Sequence, residues 1–286
     1  VWEGAISGDY KQYIRKIFDP NQGSGYSSVV LNVVGNRDPQ IPNEDGAREL
    51  LELGTFGYKK LDDTLNYGPL DIIQTALAFT GYIWGEFTRT TGTNSQGELT
   101  QTTVCTPSFS SDAHTPGAKP LFQHDPANQA VVEDLTDAVE ASLSHSELPV
   151  EIAEKICRNF IANHATKCGN STINLLASWV IAEDYNLNRV MARVMKASAL
   201  YNGTTDEALI KHPIDKVLGV YRAAKFPLGK EPMSIRDVES KVLDRMGQRA
   251  FLPPTIFGFY EEELAAEGRV LDRRRAMYNM WGPDNN

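Results

Sequence analysis

The chain has 286 residues, of which 41% are hydrophobic and 23% charged, enough for a large core in one domain or two. Its formal net charge of −9 excludes the basic surface of a nucleic-acid binder, and no run of about 18 apolar residues is present to span a membrane. It opens on Val1 with no initiating Met and no signal peptide, so it reads as a processed or partial chain whose compartment is not given by its terminus.

In chain order, Asp9 is placed to cap a helix in which Tyr10, Tyr13, Ile14, Ile17 and Phe18 recur at helical spacing, and Asp19-Pro20 ends it. Residues 27–34 are a short apolar run that fits two helical turns or a strand. Residues 43–57 carry the densest pattern. Pro42 and Asn43 open a helix, and Glu44 and Asp45 suit its positive end. Glu44, Arg48 and Glu52 share one face at i, i+4, i+8, while Ala47, Leu50, Leu51 and Phe56 face a core and Gly54 or Gly57 ends the helix. A further helix is predicted over residues 69–80.

Residues 82–123 are of a different kind. They are rich in Thr, Ser and Gly, and alternation at Ile83, Gly85, Phe87 and again at Leu99, Gln101, Thr103 predicts an irregular insertion with a β-hairpin turning near residues 93–97. A connection this long serves function or interaction. Helices resume at 128–144 and 150–164. Residues 171–183 and 187–201 form an antiparallel pair, with Leu187, Val190, Met191, Val194 and Met195 as core positions. Helices over 213–226 and 234–246 follow, then a break at Pro253-Pro254. The last helix, 261–280, runs from Glu261-Glu262-Glu263 to Arg273-Arg274-Arg275 with few apolar anchors. It calls for a surface to lie on, and Met277, Tyr278 and Trp281 are its candidate interface anchors. The expected fold is all-α: a multi-helix bundle with one long irregular, hairpin-bearing insertion. Residues 1–81 supply the N-terminal helices, 82–127 the insertion, 128–260 the helical bundle and 261–286 the charged helix and tail, together one compact unit.

Several of these segments, in order, resemble the bacterial domain of unknown function 1800. Residues 43–57, Asn-Glu-Asp-Gly-Ala-Arg-Glu-Leu-Leu-Glu-Leu-Gly-Thr-Phe-Gly, resemble its NEN-x-ARELLEL signature. Residues 69–82 are similar to its DV-x-x-x-A-R-A-L-T-G-W helix, with Asp71 on the acidic position and Thr80-Gly81 at the end. Phe122 to Asp125 resembles an F…HD element, and Ala153, Lys155, Arg158 and Phe160 fall on an A-x-K-x-x-R-x-F pattern. Lys211, Pro213 and residues 217–222, and then residues 245–259, continue the match. Asp45, Gly46, Thr255, Phe257 and Phe259 depart from the pattern, and the family's N-terminal tryptophan–histidine segment is not represented. The resemblance implies helix over 27–34 and an exported protein: secreted, periplasmic or on the cell surface.

The cysteines, Cys105, Cys157 and Cys168, fit no zinc spacing. Either Cys157 and Cys168 form a disulfide across a helix end, in an oxidising compartment, or all three are thiols; the family's export favours the disulfide. Asn170-Ser171-Thr172 and Asn202-Gly203-Thr204 are sequons that matter only in a eukaryotic secretory setting.

No nucleophile elbow, phosphate loop, dinucleotide fingerprint or HExxH is present, so no cofactor is indicated and its identity stays open. The best polar constellation is His124-Asp125 together with Glu44, Arg48, Glu49 and Glu52. It is either a carboxylate-rich cleft for a metal or a sugar, or an ion-pair network that sets helix register. Tyr82, Trp84, Phe87 and Phe109 in the insertion either contact a protein or carbohydrate partner or plug the loop onto the helices. The expected function is a non-catalytic interaction or assembly component of an extracytoplasmic complex. The alternative is a cell-surface, hydrolase-like or metal-dependent enzyme.

Overall fold

The computed structural model describes residues 7–19, 40–83, 87–93, 97, 99–105, 108–161, 165–197, 219, 223 and 243. The chain forms two units, residues 1–155 with 170–201, and residues 156–169 with 202–286. Expectations for residues 27–34, 213–226, 234–246 and 261–280, for Trp84 and for Met277, Tyr278 and Trp281 lie outside the described residues, single positions apart.

The described chain is mostly helical, with three two-stranded antiparallel sheets. In the first unit α1 (Tyr10–Phe18) starts where Asp9 Oδ1 accepts the Gln12 N–H, and it buries Ile14 and Phe18. It packs on α4 (Leu135–Leu143), and Arg15 grips Glu140 there through Nε and Nη2.

The signature segment differs from the single helix expected. A short α2 (Asp45–Arg48) widens into a π-helix, Glu49–Gly54. The physical reason lies in where its carbonyls go. Leu50 O accepts from Thr55 Oγ1 (2.8 Å), Leu51 O from the Gly57 N–H (3.0 Å), Leu53 O from Lys155 Nζ (3.1 Å) and Gly54 O from the Tyr10 hydroxyl (3.0 Å). Two groups just beyond the helix and two side chains from distant segments, Lys155 and Tyr10, thus take up the groups that a helix end leaves unpaired. Gly54 is required because a Cβ there would stand 2.9 Å from the Phe18 ring.

Helix α3 (Pro69–Ala78) begins with Pro at its first position and packs on β5 (Lys119–Leu121) and α4. Strand β1 (Tyr82–Ile83) pairs with β4 (Ser108–Phe109). Between them β2 (Phe87–Thr93) and β3 (Leu99–Cys105) form an antiparallel ribbon of seven register pairs that ends with Thr93 opposite Leu99, the hairpin that the alternation predicts. Thr80 and Gly81 close its base. Thr80 O accepts from His114 Nδ1 (2.8 Å), Thr80 Oγ1 accepts the Thr115 N–H (2.8 Å), and Gly81 O accepts the Ser110 N–H (2.8 Å). A Cβ on Gly81, where φ is +89°, would meet His114 and Phe109 at 2.8 Å.

The helix expected from residue 128 starts only at Leu135. Ala130–Val132 instead form β6, paired with β5, and Asp134 caps the helix by accepting the Asp137 N–H. In α7 (Leu187–Val194) Val190 and Val194 are buried as expected, but Met195 is exposed past the helix end. Helix α5 (Leu148–Phe160) and the kinked α6 (Ala165–Ala182) each run across a unit boundary. In the second unit Cys157 and Cys168 are joined by a disulfide, their Cα atoms 6.4 Å apart.

Candidate functional site

The core of the first unit leads to the site. Leu50, Leu51, Phe56, Tyr67, Leu121 and Phe122 are fully enclosed. Phe56 meets Phe122 edge-on at 5.4 Å and stacks flat on His145 at 3.9 Å. Beside this cluster, at the N-terminal end of α3, lies an open cleft of about 430 Å³. Its walls are mainly apolar, from Leu65, Tyr67, Pro69, Leu70 and Pro120, and its polar groups come from Asp71, Gln74, Gln123 and His124.

Asp71 organises the cleft. Its carboxylate is buried, and its two oxygens hold two separate backbone segments. Oδ2 accepts the Gly68 N–H at 2.7 Å, capping α3, and Oδ1 accepts the Phe122 N–H at 2.6 Å. Phe122 is fully buried with φ +54°, an uncommon conformation for a bulky residue. Such strain persists only where the surroundings impose it. Two residues on, the turn presents His124 at the cleft, with Nδ1 3.6 Å from Asp71 Oδ2. At that distance the imidazole stands beside the carboxylate without a formed hydrogen bond.

Asp125, adjacent in sequence, turns elsewhere. It accepts from Lys60 Nζ (2.7 Å) and Asn128 Nδ2 (3.0 Å), and the Lys60 contact holds its carboxyl down at about 2. Asn128 Oδ1 in turn accepts the Ser146 N–H, which ties this turn to the start of α5. His145 accepts the Glu147 N–H at Nδ1, while its buried Nε2 has no hydrogen-bond partner among the described residues. Burial pushes its imidazole down to about 4.

The constellation expected from sequence is therefore divided. Arg48 pairs with Glu44 (2.9 Å) and Glu52 (3.6 Å), but Arg48 and Glu44 are nearly half exposed, so the network is a surface one and not a buried one. Glu49 makes no ion pair among the described residues. No hydrogen bond or ion pair joins His124 or Asp125 to Glu44, Arg48, Glu49 or Glu52 among the described residues. No group of three His, Cys, Asp or Glu stands together to hold a metal among them either. Tyr67 neighbours both halves. It lines the cleft, and its enclosed hydroxyl lies beside the Glu52 carboxylate, short of a formed hydrogen bond.

Of the insertion's aromatics, Tyr82 is buried and meets the half-exposed Phe109 at 5.1 Å, so Tyr82 packs at the ribbon base. Phe87 stands in β2, paired with Cys105. Sequence reasoning missed Asp71, Gln74, Gln123 and Tyr67 as cleft residues. Asp71 three residues after Gly68, behind an N1 proline, was the one readable signal, since that position caps a helix.

The chain belongs to the family described as protein of unknown function (DUF1800), which matches residues 28–281. No curated protein and no solved structure matches the chain. No described helix is long and apolar enough to cross a membrane.

Proposed function

We propose that the protein is an interaction or assembly component of an extracytoplasmic complex, and that the β2–β3 ribbon is its contact arm. The observation that carries this reading is the ribbon itself. Seven residue pairs extend from a clamped base with no third strand beside either edge among the described residues. An isolated two-stranded ribbon is marginal in water, and its open edges are templates for another strand. Leu99 and Thr91 to Thr93 along it are exposed. A partner that adds a strand or covers one face would supply the missing stabilisation. The Cys157–Cys168 disulfide supports the extracytoplasmic setting, because such bonds persist in oxidising compartments. The multi-helix bundle and the charged C-terminal helix as a second contact belong to the same reading.

The test replaces residues 87–105 by a short Gly-Ser linker, which leaves the Tyr82–Phe109 clamp intact. The truncated chain keeps its helical signal and its melting temperature within a few degrees, and it loses the stoichiometric partner that the intact chain retains on purification from its source. An unchanged complex overturns the proposal.

A second reading, a hydrolase-like enzyme, has one observation in its favour: His124 stands at a cleft 3.6 Å from the buried Asp71 carboxylate, and an imidazole near a carboxylate is the pairing from which a general base is built.

A further inference from the structure

We infer that the cleft at the start of α3 is a binding site for a neutral saccharide of one or two rings. Three observations carry this. The cleft has the size for such a ligand, about 430 Å³, within the range of small-molecule sites. Its charge is balanced. Asp71 is the one formally charged residue on its wall, and the carboxylate is spent on two backbone N–H groups, that of Gly68 at the helix N-terminus and that of Phe122 in the turn after β5. The positive helix end that would attract an anion is thereby neutralised, and no uncompensated carboxylate is left to attract a cation.

The third observation is the pattern of the wall. The rings of Pro69 and Pro120 with Leu65 and Leu70 offer apolar surface to the C–H face of a sugar. The His124 ring and the amides of Gln74 and Gln123 offer hydrogen-bonding groups for sugar hydroxyls. The strained Phe122 turn gives this wall a purpose. The chain bears an unfavourable backbone conformation two residues before the side chain it delivers to the cleft, and such strain concentrates at functional sites. The inference rests on the cleft alone and is independent of the ribbon and of any turnover.

The experiment is calorimetric titration of the full chain with glucose, N-acetylglucosamine, cellobiose and chitobiose, with cyclohexanol and inorganic phosphate in parallel. Saturable binding of at least one sugar is expected, weakened about tenfold by His124→Ala through loss of one hydrogen bond. Leu70→Arg, at a position 72% exposed and so safe for folding, abolishes it. No saturable binding of any sugar overturns the inference. So does sugar binding indifferent to Leu70→Arg, tighter binding of cyclohexanol, which marks a merely apolar cleft, or binding of phosphate in place of the sugars.

Discussion

Asp71 and Phe122 lie 51 residues apart and are joined by one hydrogen bond, the Phe122 N–H to Asp71 Oδ1 at 2.6 Å. Through it, the side chain that caps α3 also fixes the turn carrying His124. The acidic residue of one family motif and the aromatic residue of another thus serve a single purpose.

Asp71→Ala leaves two backbone donors without their acceptor and removes the support for the positive φ of Phe122. A cost of about 2–4 kcal/mol is expected, combining a lost cap with a buried unpaired N–H. Asp71→Asn keeps one acceptor and loses about half as much. Urea unfolding measures both. A midpoint for the alanine variant equal to the parent's would show that the turn holds itself.

Arg48→Ala is the counter-case. Spacing alone, with burial assumed, points to about 3 kcal/mol for leaving two carboxylates uncompensated. The structure leaves Arg48 and Glu44 nearly half exposed, with only Glu52 well covered. Exposed pairs of this kind contribute less than about 1 kcal/mol. The same urea series decides between them, and a loss near the larger figure would mean that the pair is shielded in solution.

These two residues also show what the sequence discloses. The helical period, the Asp9 cap and the hairpin alternation are local, and α1, α3 and the ribbon appear where these signals place them. The π-helix was not legible, because its widening is maintained by Tyr10 and Lys155, which reach Gly54 and Leu53 from other segments. The true start of α4 was hidden for a similar reason: Ala130–Val132 are drawn into a strand by β5. Of the site, the sequence displayed His124 and Asp125 as neighbours. Their divergence to Asp71 and Lys60 depends on the left-handed turn at Phe122, which no local pattern announces.

The disulfide has a direct chemical check. Peptide mass spectrometry of native, unreduced protein will show Cys157 linked to Cys168. With a sequence separation of 11, its removal in a Cys157→Ser, Cys168→Ser variant costs about 3 kcal/mol in the chain-entropy picture. Two free thiols in native material would refute the link and remove the chief support for an extracytoplasmic setting.

His145 gives the protein an acid-sensitive core. Its imidazole is almost wholly enclosed, stacked on Phe56, and pushed by burial from 6.5 to about 4. The folded state therefore prefers the neutral ring, whereas the unfolded chain accepts a proton near 6.5. Stability from this group is complete above that value and is lost as pH falls toward about 4, by about 3 kcal/mol in all. The charges around it are Asp125, which favours protonation, and Lys60 and His124, which oppose it. Asp125 stays ionised through this window, because Lys60 holds it at about 2, so its own loss comes only at lower pH. Glu147, raised by burial, acts in the opposite sense and stabilises slightly as it takes up a proton. The difference between parent and variant isolates the histidine. His145→Phe keeps the stack on Phe56 and has no proton to gain. Urea unfolding of both chains at intervals from pH 7 to pH 4 is expected to show the parent losing about 3 kcal/mol more than the variant. Parallel pH profiles would mean that His145 is protonated in the folded core, with a partner for Nε2 that the buried geometry does not supply.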